Sequence, residues 1–386
     1  MSLIKYINRK NTDCEKWDGL TDMYGQQELL AMWVADMDFQ VPEAVTKALS
    51  DYANTGVFGY YRTPDSYYDA FIQWEKEIHN FQIQKDWIRF SPGVVSGFYW
   101  IVQYMTRPGD AVIVTTPVYY PFLNAVKDNG CQLITSQLVN TDGTYTIDFN
   151  DFEKKIVEHQ VKIFILCSPH NPVGRVWTKA ELRQLFEICR RHKVFVISDE
   201  IHHDLVYDGH EHIPSLSVGD YDDMMIMLTS PSKTFNLAGC QNSIIVIPDE
   251  DLRRQWDDFT NRLRVTDGNA FGYIAAKAAY TGGRAWYEEV KEVIYENYRY
   301  MKNVFEEELP DVVVSPLEGT YLAWVDLRNY LKPEEVAEFM QNKCGLAFDY
   351  GDWFGGNDFA GFIRMNLATS RENVEIAVQR IVQNLK

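Results

Sequence analysis

Between residues 90 and 250 the chain alternates short apolar runs with helix-patterned segments, and nothing else in it constrains the fold as tightly. The runs are AVIVTT (111–116), CQLITSQL (131–138), VKIFILCS (161–168), VFVISDE (194–200), MMIMLTS (224–230) and SIIVIP (243–248). Most are near-continuously apolar. A strand with one wet face alternates polar and apolar residues, whereas a strand buried on both faces does not, so these runs predict a mostly parallel sheet covered by helices. The intervening segments PFLNAVKDNG (121–130) and TKAELRQLFEICRRHK (178–193) carry the helical spacing. Thr178 with Glu181 three residues on has the form of a capping box, which starts the second helix.

After residue 250 the texture changes to long helices, notably AWYEEVKEVIYENYRYMKNVFEEEL (285–309). A hairpin-like VVVSPLEGTYLAWVDL and a closing helix from Glu372 follow. The expectation is a large α/β domain over 46–284 and a smaller α+β domain over 285–386, with the N-terminal segment 1–45 packing on the latter. A length of 386 residues is ample for two such cores. The formal charge of −18, with no lysine or arginine block, argues against nucleic acid or an anionic membrane as partner. No run of 18 apolar residues and no signal-peptide apolar region occurs, so a cytoplasmic protein without a membrane span is expected. The six cysteines lack CxxC spacing, and Cys167 and Cys189 fall in apolar segments, which predicts packed, reduced thiols.

In open α/β sheets, ligands bind beyond the carboxyl ends of the strands. Four of the runs above end in polar clusters: TTPVYYP, CSPHNPVG, SDEIHHD and TSPSK. Gathered at one sheet edge, they offer Tyr119, Asn171, Asp199, His202, Ser230, Ser232 and Lys233 to a single crevice. Lys233 is the odd member, an ammonium next to a buried strand and followed by the mostly apolar TFNLAG. It is either a solvated turn lysine or a reactive amine in a pocket. A dinucleotide or nucleotide triphosphate is not indicated, because the chain contains neither GxG nor GxxxxGK. An amine, a carboxylate, an amide and an aromatic face are the groups that suit pyridoxal phosphate, which needs a lysine anchor and an acid to keep its ring nitrogen protonated.

The spacing of NPVG (171–174), SDEIH (198–202) and SPSKTFNLAG (230–239) resembles the class I/II aminotransferase family of fold type I pyridoxal-phosphate enzymes. WVADMDF (33–39) and FGYYR (58–62), with DEIH, resemble its MalY/PatB branch of carbon–sulfur β-lyases of the cystathionine β-lyase type. The resemblance spans almost the whole chain. It implies a seven-stranded, mostly parallel sheet and a homodimer with active sites at the subunit interface. It makes Lys233 the covalent anchor and the base at the substrate Cα, and Asp199 the partner of the ring nitrogen. Asn171 would bond the ring's phenolic oxygen, though Asn-Pro is also a plain turn signal. Tyr119 would stack on the cofactor, or be a core aromatic. His202 replaces the family's usual tyrosine, and would reach the phenolic oxygen or stand behind it.

For the phosphate, the resemblance implies the amides of Val94 and Val95 at a helix N-terminus, the hydroxyls of Ser230 and Ser232, and Tyr60 from the other subunit. Ser232 reads equally as a turn residue. Aminotransferases place an arginine eight residues after the lysine, where this chain has Gln241; the β-lyase branch resembles it there. Arg364, in FIRMNLATSR, would fork the substrate's α-carboxylate, with the backbone at Ala35 and Asp36 closing over it. Arg371 reads as a surface residue at a helix start. The implied activity releases a thiol or sulfide, pyruvate and ammonia from L-cystathionine, L-cysteine or a related amino acid. Transamination by the same groups is the alternative, and a cofactor-binding regulator the third. HHDLVYDGHEH (202–212) invites a metal site, but its spacing matches no zinc motif and it reads as a solvated loop; no metal is expected.

Overall fold

The computed structural model describes residues 2–386. Seven strands form the main sheet: β1 (Ile88–Ser91), β2 (Ala111–Thr116), β3 (Gln132–Gln137), β4 (Ile163–Cys167), β5 (Phe195–Asp199), β6 (Met225–Thr229) and β7 (Ser243–Val246). Their order across the sheet is β1-β7-β6-β5-β4-β2-β3. Only β7 runs against its neighbours; every other pairing is parallel. The expected mostly parallel, seven-stranded sheet is therefore present. Successive side chains on a strand point to opposite faces, and the two faces feed different cores. Ile113, Phe164, Val196, Met227 and Ile244 enter one core. Val112, Val114, Ile165, Ile197, Ile226, Leu228 and Ile245 enter the other. That double burial is why the runs showed no alternation.

Helices fill both flanks. Lys179–His192 begins at the capping box, with Thr178 Oγ1 accepting from the Glu181 amide at 3.2 Å and Glu181 Oε2 accepting from the Thr178 amide at 2.8 Å. The helix Val94–Met105 lies hard against the sheet at Gly97, where a Cβ would stand 2.5 Å from Leu228 Cδ2. A side chain there would have to displace the Leu228 methyl, so glycine lets the helix lie close to the sheet.

A second, antiparallel sheet is built from β8 (Val313–Val314), β9 (Leu322–Asp326), β10 (Asp349–Tyr350) and β11 (Phe362–Asn366), in the order β8-β9-β11-β10. The hairpin-like segment is thus an antiparallel pair, and the closing helix runs from Arg371 to Leu385 behind a Ser370 cap. The N-terminal segment joins this part of the molecule, since Leu30–Ala31 pairs in parallel with Leu346–Ala347. All six cysteines are free, and Cys131, Cys167, Cys189 and Cys344 are buried. No helix among the described residues is long and apolar enough to cross a membrane.

The loop after Leu30–Ala31 is pinned from beneath by a fully buried ion pair, Lys16 Nζ to Asp38 Oδ2 at 2.8 Å, with Trp17 Nε1 donating to Asp38 Oδ1 at 2.9 Å. Removing the cation leaves a buried carboxylate short of its counter-charge. Lys16→Met is expected to cost about 3–5 kcal/mol in urea unfolding. A loss under about 1 kcal/mol would show that this pair does not hold the loop.

Candidate active site

Strands β1, β6, β5, β4 and β2 all point the same way, so the chain leaves each of them at one edge of the sheet. Beyond these ends lies a cavity of about 170 Å³. Tyr119 reaches it after β2, Asn171 after β4, Asp199 and His202 after β5, and Ser230, Ser232 and Lys233 after β6. Val94 and Val95 enter it from the helix that follows β1, and Ala35 closes it from the N-terminal loop. The structure thus brings ten of the sequence-derived residues to one place. Arg364 lies beside it, bonded to Asn171.

Local chemistry explains the placement of Lys233. Strand β6 ends at Thr229, and the Ser230 hydroxyl accepts from the Ser232 amide at 3.1 Å. Pro231 then opens the one-turn helix Pro231–Thr234, a position that needs no amide donor. Thr234 is tied to Asp204 by a 2.5 Å hydrogen bond, and Lys233 Nζ donates to the Ala35 carbonyl at 2.6 Å. Burial pushes the Lys233 amine down to about 8, with Asp36 opposing, Arg364 assisting and Asp199 opposing. Burial pushes Asp199 up to about 7, against a hydrogen bond from the Ile201 amide and the charge of Lys233. Taking both groups out of water disfavours their charged forms, which moves an acid up and a base down.

The Asn171 side chain is buried, and its Oδ1 accepts from Arg364 Nη1 at 3.0 Å, which leaves Nδ2 to donate to a ligand. Tyr119 is half-buried, its backbone amide bonded to the Asn171 carbonyl at 3.0 Å, and burial raises its phenol. His202 is buried edge-on to Tyr321, with ring centroids 5.7 Å apart. Burial, then the charges of Lys233 and Arg364, hold it well below the usual histidine range, so its ring is neutral. Gly93 precedes the helix Val94–Met105 and offers no side chain to cap it, leaving the first amides to an anion.

The loop Trp33–Met37 contributes through its backbone. Ala35 O accepts from both Lys233 Nζ and Tyr321 Oη, the latter at 2.7 Å. Asn366 Nδ2 holds the carbonyls of Val34 and Asp36, and Asn236 brackets Met37. Trp33 O accepts from Arg364 Nη2 at 3.3 Å. The Asp36 carboxylate turns aside to Arg9, 2.7 Å away. Sequence reasoning missed Tyr321, Asn366 and Asn236, and also Asp349, which sits opposite Arg364 across β10 and β11 and bonds its Nη2. Only the neighbouring motif residues hinted at Asn366, which is two positions from Arg364 in the same strand.

Three residues stand apart. Tyr60 is fully exposed and does not touch the cavity of its own chain. Gln241 is exposed in a left-handed conformation (φ 49°) next to cavity-lining Asn242. Arg371 lies at a helix start on the surface, paired with Glu375 at 2.9 Å.

One expectation is overturned. The stretch 202–212 is not a solvated loop: His202, His203 and His212 are all buried, and only His210 is exposed. The reason is a polar core that no local reading shows. His212 Nε2 meets Glu200 Oε2 at 2.7 Å, and His79 Nε2 meets Asp204 Oδ1 at 2.9 Å. His203 lies between Glu75 and Asp204, and although burial opposes it, those carboxylates raise it to about 10. Glu75, His79 and His203 bring donor atoms within 4.8 Å of one another, with His203 Nε2 3.1 Å from Glu75 Oε1 and His79 Nε2 2.9 Å from Asp204 Oδ1.

The family model for aminotransferase class I and II matches residues 28–381. Cystathionine beta-lyase PatB of Bacillus subtilis (strain 168) is 38% identical over 383 residues, covering 99% of each chain. Among solved structures, cystalysin from Treponema denticola, whose crystals contain pyridoxal 5′-phosphate, superposes with a TM-score of 0.95 at 36% identity, over 100% of this chain and 98% of that one. The pyridoxal-phosphate-bound C–S lyase from Staphylococcus hominis gives 0.93 at 35% identity, over 99% and 97%. The strand-end crevice, the match to the family model and these full-length likenesses agree: the chain belongs to the class I and II aminotransferase family.

Proposed function

We propose that this crevice holds pyridoxal 5′-phosphate and that the protein is a carbon–sulfur β-lyase. Its substrates would be L-cystathionine, L-cysteine or a related thio amino acid, cleaved to a thiol or sulfide, pyruvate and ammonia. The observation that carries the reading is a depressed lysine amine and a raised carboxyl lining one cavity beneath an uncapped helix N-terminus. These groups fit the cofactor. Lys233, lowered to about 8, releases its proton far more readily than an ordinary lysine and so offers a larger nucleophilic fraction; Asp199 forms no ion pair among the described residues and is free to meet a ring N–H. When bound, the cofactor supplies an aldehyde that bonds amines and a ring that draws electrons from the adjacent carbon.

Each residue then has a task. Lys233 would hold the cofactor through its aldehyde and, once released by the substrate amine, would take the proton from the substrate's α carbon, the β sulfur leaving with the electron pair of the C–S bond as a thiolate. Asp199 would keep a proton on the ring nitrogen, and Asn171 would donate Nδ2 to the phenolic oxygen. Tyr119 would stack on the ring, and neutral His202 would stand behind it without adding charge. The amides of Val94 and Val95 and the hydroxyls of Ser230 and Ser232 would receive the phosphate. Arg364 would hold the substrate carboxylate, with the backbone of Ala35 and Asp36 closing above. The names of PatB and the S. hominis lyase support lyase over transaminase chemistry, and a neutral Gln241 in place of an arginine points the same way.

Purified protein with the cofactor should release pyruvate from L-cystathionine or L-cysteine with no keto acid added, and show an absorbance band near about 420 nm that Lys233→Ala lacks. Turnover only when a keto acid is supplied would instead make it an aminotransferase.

The protein is further proposed to act in the cytoplasm as a homodimer, with Tyr60 completing the phosphate site of the partner. Tyr60, Val57 and Phe58 stand exposed together, an apolar surface that a second copy would cover. Mixing Tyr60→Ala with Lys233→Ala chains tests this, because a hybrid carries one complete site. Recovery of about a quarter of wild-type activity is expected from equal mixing of two weakly active parents. No recovery would mean that Tyr60 serves no neighbouring site.

A further inference from the structure

The Arg364 guanidinium is not free. It is buried in the middle of β11, its face against Phe354 at 5.0 Å, with Nη1 on Asn171 Oδ1 and Nη2 on the Trp33 carbonyl. Asp349 stands directly opposite on β10, equally buried, and binds Nη2 through Oδ2. Arg364 Nε and Asp349 Oδ1 face no hydrogen-bond partner. Of the five guanidinium N–H groups, the one on Nε and one on Nη1 are left for a further carboxylate, but the charge is already matched. Among the neighbouring groups His202 is neutral, Asp36 is paired with Arg9, and the Lys233 amine is the group that the cofactor would take up.

A carboxylate arriving there places two anions on one buried cation, and like charges in a desolvated site repel strongly. The cost falls unequally on different ligands. An amino acid is also held covalently through its amine, so its carboxylate binds as the second attachment of a tethered group. A free monocarboxylate has only the arginine. Resting on the reading of Arg364 as the carboxylate site, we propose that Asp349 is a specificity-determining residue. It weakens Arg364 for untethered carboxylates, the product pyruvate among them, so that the site retains α-amino acids and lets the keto acid leave. Asp349 is not needed to place the arginine, which Asn171, Trp33 and Phe354 hold independently.

Asp349→Asn removes the charge but keeps the size and an acceptor oxygen for Nη2. Calorimetric titration of the cofactor-loaded enzyme with pyruvate should show binding about tenfold tighter in Asp349→Asn than in wild type, and lost in Arg364→Gln. Asp349→Ser, which also lacks the charge, should tighten binding too and serves if the asparagine variant does not fold. Damage at this strand would loosen Arg364 and weaken binding, so a gain separates a charge effect from a structural one. If Arg364→Gln loses pyruvate while neither Asp349 variant gains it, the proposal is overturned and the carboxylate reading stands. Unchanged binding in Arg364→Gln would remove that reading and this proposal together.

Discussion

Asp199 and Lys233 line one desolvated crevice, and withdrawal from water drives both toward their neutral forms. The acid rises to about 7 and the amine falls to about 8. Two surface residues of these types would sit some six units apart and charged across the neutral range. Here each is left within reach of the ionisation change that its chemistry needs: the amine can act as nucleophile and base, and the carboxyl can accept a hydrogen bond from a ligand cation. The sheet maintains this arrangement. Parallel strands buried on both faces deliver their carboxyl ends to one edge, and the polar residues cluster there because the strands themselves have no room for them.

The lid of the site is held by backbone more than by side chains. Trp33, Val34, Ala35 and Asp36 all present carbonyls to Arg364, Asn366, Lys233 or Tyr321. A segment from the start of the chain is thereby clamped between the lysine turn on one side and β11 on the other, with the buried Lys16–Asp38 pair beneath it. The polar core of Glu75, His79, His203 and Asp204 works from the opposite side. Asp204 fixes Thr234, the residue next to the lysine, and also takes Trp74 Nε1 at 2.9 Å. The amine is thus positioned by two sets of contacts, neither contiguous with it in sequence.

Much of this was legible in the chain. The six runs predicted as strands are strands, the Thr178 box caps its helix, and the strand-end clusters converge as their placement required. What escaped shares one physical cause, dependence on contacts between distant segments. β1 escapes a sequence reading because Ile88–Ser91 is only four residues long, too short for its alternation to stand out, and it contains a charged Arg89 that pairs with Asp257. Asp349 gains meaning only from its register with Arg364. The histidines of 202–212 look solvated because local polarity is read as exposure, whereas Glu75 and Asp204 face His203, and Glu200 faces His212, in the interior. Tyr60 is legible only through the resemblance, since a residue that serves another subunit leaves no mark in the fold of its own.

The central claim is that the Lys233 nitrogen is the one that bonds the cofactor, and chemical trapping tests it most directly. Borohydride reduction of protein saturated with pyridoxal phosphate, followed by peptide mapping, should place the added mass on the peptide containing Lys233 and leave the other lysines unmodified. Stoichiometric modification at a different lysine, or none at Lys233 in saturated protein, would contradict the account.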